Sequence, residues 1–158
     1  MAARSEGIIP STRRRVRRHT DESVNRRVDD QIARNVRYFS AHREEIDDRL
    51  AELDEEWDIE RVIEMNASAL ALTGTALGAT VDKRFLVLPL LVTGFLLQHA
   101  VQGWCPPVPI LRRFGFRTQD EINTERYALK ALRGDFDALS KKSGAQASAN
   151  AALKAVNN

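Results

Sequence analysis

MNASALALTGTALGATV (Met65–Val81) and FLVLPLLVTGFLLQHAV (Phe85–Val101) stand on either side of three charged residues, Asp82-Lys83-Arg84. Asn66 is the only strongly polar side chain of the first run. A helix crosses a bilayer core with about 20 mostly apolar residues, and about 17 is the lower limit. Both runs sit near that limit, and Val62–Ile63 and Gln102–Trp104 lengthen them. Two apolar helices joined by so tight a turn make an antiparallel hairpin. The expected fold class is therefore all-α: a membrane helical hairpin of two short transmembrane helices, flanked by amphipathic helices and disordered ends.

Average composition hides this pattern. The chain has 158 residues, 29% of them charged, a net charge of +2 and a mean hydropathy of -0.37, values ordinary for a soluble domain. The charge is uneven: Arg13–Arg18 holds five arginines, while Glu44–Glu64 is strongly acidic. Outside the apolar middle too little chain remains for a sizeable globular core. One cysteine excludes an internal disulfide and any multi-cysteine metal site. The arginine run is not followed by an apolar stretch, so no cleavable signal is expected.

Six segments follow from these shifts. Residues 1–20 form a basic N-terminus expected to be disordered. Its arginines are either a solvated tail or a contact for anionic lipid head groups, and without interleaved aromatics they predict no nucleic-acid binding. Residues 21–57 are helical. Val24, Val28, Ile32, Val36 and Phe39 recur at helical spacing, and Ile46, Leu50, Leu53 and Trp57 make a coiled-coil-like stripe. That stripe predicts packing or self-association. Ser40-Ala41-His42 is a candidate break, with Ser40 as an N-cap.

The hairpin occupies residues 58–104, with Asp58 as its N-cap. Ala67, Gly74 and Gly78 on the first span and Gly94 on the second are the expected helix-packing positions, because small residues let backbones approach closely. Gly74 and Gly78 serve either to seat the second span or to join two copies of the chain. Gln98, His99 and Gln102 make the end of the second span polar and are expected at the membrane interface, although polar groups at depth also mark pathways. Trp104 and Trp57 fall at the same end of a hairpin, as half of an aromatic belt.

Residues 105–117 read as a proline- and arginine-rich interfacial loop in which Arg112, Arg113 and Arg117 contact anionic lipid. Adding Arg49 and Arg61, about five cations face two in the turn, Lys83 and Arg84, which places both termini in the cytoplasm. Residues 118–136 form an amphipathic helix opened by a Thr118/Glu121 capping box and stopped at Gly134. Residues 137–158 read as a disordered tail.

Two short spans, then Gly103-Trp104-Cys105-Pro106, then Gly115 and Thr118 at a Gly-x-x-Thr spacing, resemble the YgaP-like inner-membrane domain family, a bacterial domain of unknown function. The resemblance covers about Ile59 to Thr118. It implies a hairpin in the bacterial inner membrane and little else. The stretch Pro107–Phe114 is longer than the family pattern, and no rhodanese active-site loop precedes the hairpin, so sulfurtransferase activity is not implied.

Cys105 is the only candidate nucleophile, for redox or sulfur chemistry or for acylation. It follows a helix C-terminus, whose partial negative charge opposes a reactive thiolate. His99 has no partner at metal-ligand spacing on its helix, and no phosphate loop or serine elbow is present. The expectation is a non-enzymatic membrane anchor, scaffold or oligomerising adaptor with no cofactor. Its partners would be anionic lipid and other copies, met through Gly74/Gly78 or the Ile46/Leu50/Leu53/Trp57 stripe. The alternative is an oligomeric transport or sulfur-handling module built around Gln98, His99 and Cys105.

Overall fold

The computed structural model describes residues 13–137 together with Ser11 and Ala152, and every regular element among them is helical. In order these are α1 (Arg15–Arg18), α2 (Glu22–Ala41), α3 (Ile46–Glu55), α4 (Ile59–Thr80), α5 (Val87–Gln102), α6 (Val108–Arg113) and α7 (Gln119–Arg133). Single 3-10 turns, Arg43–Glu45 and Lys83–Leu86, precede α3 and α5. The chain divides into two compact units: residues up to Val28 with Trp57–Asp120, and Asp29–Glu56 with the chain from Glu121 onward.

In the first unit, the Asp58 carboxylate accepts a hydrogen bond from the Arg61 backbone N–H at 2.7 Å and so caps α4. At the far end, the Asp82 side chain accepts from the Arg84 N–H at 2.8 Å and opens the turn into α5. Pro89 stands in the first turn of α5, where its missing N–H breaks no helical bond. α5 returns antiparallel to α4. A Cβ built on Gly74 would lie 2.6 Å from Pro89 Cδ, and one on Gly78 would lie 2.5 Å from Leu86 Cδ2. Both glycines are thus occupied by contact within the chain.

A Cβ on Gly94 would meet nothing within 4 Å, so Gly94, expected as a packing position, packs against nothing among the described residues. Among the described residues only Lys83–Gln102, with mean hydropathy 1.7, is long and apolar enough to cross a membrane. α4 falls short of it. Glu60, Arg61 and Glu64 occupy its first turns, and Asn66, Ser68, Thr73, Thr75 and Thr80 dilute the rest.

Gly103 closes α5 in the left-handed region at φ +79, its N–H donating to the His99 carbonyl at 2.7 Å. The prolines follow the end of α5, and a new short helix begins among them. Pro109 sits in the first turn of α6, where a fixed φ is pre-organised for helix, so residues 105–117 are not a continuous loop. Gly115, at φ +95, ends α6. Val16, Ile59, Ile63, Cys105 and Val108 form the core here, with Leu96, Leu111 and Phe116 against it.

Val16 is fully buried in that core, so residues 13–20 are an ordered, docked segment and not the free tail expected of them. The expectation of disorder for residues 1–10 lies outside the described residues, as does nearly all of the predicted tail.

The second unit explains the apolar stripe. Ile46, Leu50 and Leu53 on α3 are buried against Ile122 and Leu129 of α7, with Phe39 and Leu132 at the edge. These three stripe residues thus form an intramolecular core. Trp57 is not part of it. α3 ends at Glu55, and Trp57 lies exposed with the Arg61 guanidinium 4.3 Å above its ring. The chain breaks near Ser40 as expected, but Ser40 remains inside α2 and its hydroxyl donates to the Arg37 carbonyl. Glu125, fully buried, accepts from Arg49 Nε and Asn35 Nδ2, each at 2.9 Å. Gly134, at φ +92, stops α7.

Candidate functional site

The candidate site is the apolar surface of α4, α5 and their connecting turn, together with a polar cluster at its open end. Leu72, Leu90 and Leu97 are 72%, 71% and 67% exposed, and Met65, Leu70, Val81, Phe85, Leu86, Val87, Leu91, Phe95 and Val101 are each at least 40% exposed. Within Lys83–Gln102 only 6% of the most apolar stretch is buried in the chain. A helix so apolar in a soluble core would be mostly buried. Soluble monomers rarely expose continuous apolar patches beyond a few hundred Å² without a partner surface.

The threonines on these helices make no demand on solvent. Thr73, Thr75, Thr80 and Thr93 each donate to the carbonyl four residues earlier, at 2.7–2.8 Å. The Asn66 amide donates to the Val62 carbonyl in the same way.

His99 is turned inward and is 3% exposed, not solvated at a surface as its neighbours suggested. Its Nε2 lies 2.5 Å from Glu60 Oε2 across the α4–α5 seam. The other Glu60 oxygen accepts from Arg15 Nη2 at 3.0 Å, and Arg15 Nη1 donates to the Ala100 carbonyl at 3.2 Å. His99 Nδ1 is buried without a hydrogen-bond partner. Burial pushes the Glu60 carboxyl up, but hydrogen bonds from His99 and Arg15, with their charges, outweigh it and hold Glu60 below its ordinary range.

A Cβ on Gly103 would lie 2.5 Å from the Arg15 backbone, so the glycine both closes α5 and admits α1. Sequence reasoning missed Arg15 and Glu60. Each is far from His99 along the chain, and nothing local marks them.

Gln98 is half-buried and Gln102 exposed, so the three polar residues do not converge on one site. Trp104 is half-buried, edge-on to Phe95 at 6.4 Å. Arg112 and Arg117 are 1% and 2% exposed, which removes both from any lipid surface; Arg113 alone of the three is exposed. Arg112 donates to the Phe116 carbonyl and to Asn25 Oδ1, tying α6 to α2. Arg117 presents its carbonyl to the Ile59 N–H at 2.8 Å, and Thr118 is buried just before α7.

Cys105 is buried, and burial pushes its thiol up. It lines a cavity of about 500 Å³, bounded by Ala67 and Leu70 of α4, Phe95 and Leu96 of α5, and Leu111 of α6. Ala67 therefore lines a space instead of a seam. Pro106 also borders it. Among the described residues no three His, Cys, Asp or Glu side chains group as metal ligands.

No family model, no curated protein and no solved structure matches this chain.

Proposed function

We propose that this chain is a small integral membrane protein in which α4 and α5 traverse the bilayer as a hairpin, acting as a non-enzymatic anchor or scaffold for its remaining helices. The observation that carries the reading is the girdle of exposed large apolar side chains around Lys83–Gln102, on a helix that the chain itself leaves uncovered. Twenty residues at 1.5 Å rise extend about 30 Å, the thickness of a hydrocarbon core.

Three features support α4 as the partner span. Its glycines seat the turn and the start of α5. Its threonine hydroxyls are satisfied by its own backbone. Its charged first turns lie before Met65, where an interface would fall. A hairpin places Trp57 and Trp104 at one interface and Lys83–Arg84 at the other, with both termini on one side, taken as cytoplasmic in a bacterial inner membrane.

The buried thiol and the separation of Gln98, His99 and Cys105 favour the anchor over a transport or sulfur-handling module. The internal occupation of Gly74, Gly78, Ile46, Leu50 and Leu53 favours a scaffold that does not self-associate through those residues. The test is fractionation of the expressed full chain with an alkaline carbonate wash. Retention in the washed pellet is expected. Release into the wash, or a soluble protein from the start, would overturn the membrane reading.

A further inference from the structure

The cavity lined by Cys105 has a shape that follows from the α4–α5 seam. At Gly74 α4 touches α5, and at Gly78 it touches Leu86 of the connecting turn, because no side chain intervenes. Between Gly74 and the Glu60–His99 contact at the start of α4, the space lined by Ala67, Leu70, Phe95 and Leu96 opens to about 500 Å³, bordered by Cys105 and Leu111. This lies within the range of about 300–1,000 Å³ typical of ligand pockets.

Its chemistry excludes a polar ligand. The Asn66 amide at its edge already donates to the Val62 carbonyl, and the Cys105 thiol is a weak donor. The remaining lining is apolar, so water would find too few partners there. Leu70 and Phe95 line the cavity and are also 49% and 40% exposed, so its mouth is continuous with the apolar girdle.

We infer that this cavity is a lipid subsite that takes an acyl chain of a phospholipid from the surrounding bilayer, entering sideways between α4 and α5 and ending against Cys105 and Leu111. The inference rests on the membrane reading above. A hydrocarbon chain needs no hydrogen bond, fills a void that would otherwise leave its walls without contacts, and is supplied in excess by the medium onto which the mouth opens. α6 and Gly103 then acquire a purpose beyond helix termination: together they hold Cys105 and Leu111 at the end of the cavity.

The test reconstitutes the full chain in phosphatidylcholine vesicles containing a phosphatidylglycerol with a diazirine midway along one acyl chain, and maps photo-adducts by peptide mass spectrometry. Adducts are expected on two sets of residues: the outward Leu72, Leu90 and Leu97, and the cavity residues Cys105 and Leu111. Ala67→Trp, which fills the cavity, should abolish the second set and spare the first. Leu111→Trp, filling it from α6, should abolish the Cys105 adduct in the same way. The retained outward adducts show that each variant is still folded and inserted. Adducts confined to the outward set in the unaltered protein, or cavity adducts unchanged in both variants, would overturn the subsite. Absence of both sets would overturn the membrane reading itself.

Discussion

Two glycine-to-alanine substitutions should differ in their effect on stability, although they are chemically identical. Either one gains helix propensity worth about 1 kcal/mol, since glycine is the poorest ordinary helix former. At Gly94 nothing opposes that gain, because the new methyl group meets no atom within 4 Å. At Gly74 the methyl group would stand 2.6 Å from Pro89 Cδ and 3.1 Å from Leu88 Cβ. A proline ring cannot turn aside, so the helices must separate, at a typical overpacking cost of about 1–3 kcal/mol.

Propensity is common to both sites, so the difference between them isolates the packing cost: Gly74→Ala should be less stable than Gly94→Ala by about 1–3 kcal/mol. Gly78→Ala should fall between them, because its two nearest neighbours, Leu86 Cδ2 at 2.5 Å and Cγ at 2.7 Å, belong to a side chain that can turn, while the Leu86 backbone N stands further off at 3.3 Å. The assay is unfolding in mixed micelles, titrated with a denaturing detergent and followed by circular dichroism. Equal stabilities for the Gly74 and Gly94 variants would refute the close seam, and with it the antiparallel packing of α4 on α5.

Other expectations concern the buried groups. Leu53→Asp should unfold the second unit, at a cost above about 4 kcal/mol for a charge placed without a partner in a core; loss of helical signal checks it, and an intact fold with only weakened self-association would restore the stripe as an interface. Glu60 is held below its ordinary value of 4.5, so the stability it contributes is complete above that value and is lost as pH falls through its folded pKa. Melting temperatures from pH 7 to pH 3 should therefore drop more steeply for the unaltered protein than for Glu60→Gln. Cys105 should react with maleimide more slowly than in the unfolded chain, because burial pushes its thiol up, which lowers the thiolate fraction, and also shields the sulfur. Equal rates would place the thiol at an open surface.

Local chemistry was legible where a residue acts on its own neighbours. Asp58 caps α4, the chain breaks after α2 near Ser40, Gly134 stops α7, and the long apolar run at Phe85–Val101 is a helix. Each of these depends on a hydrogen bond or a backbone dihedral within a few residues. The prolines after Cys105 were legible only as a change of direction. Whether a proline ends a helix or starts one depends on which side of it the helix lies, and α6 lies after it.

What covers each apolar or charged face was not legible. The Ile46, Leu50 and Leu53 stripe has the same spacing whether it meets another chain or α7 of its own, and only the fold supplies Ile122 and Leu129. Arg112 and Arg117 look like surface cations in any composition count, because burial of a guanidinium requires acceptors such as Asn25 and the Phe116 carbonyl that only tertiary structure brings near. His99 finds Glu60, and Glu60 finds Arg15, for the same reason.

By itself, then, the sequence determined an all-helical chain with an apolar segment of membrane length, because helix periodicity and hydropathy are summed over adjacent residues. The tertiary structure decided which glycines touch, which arginines are buried and where Cys105 lies, because those depend on the distances between helices that no spacing along the chain encodes.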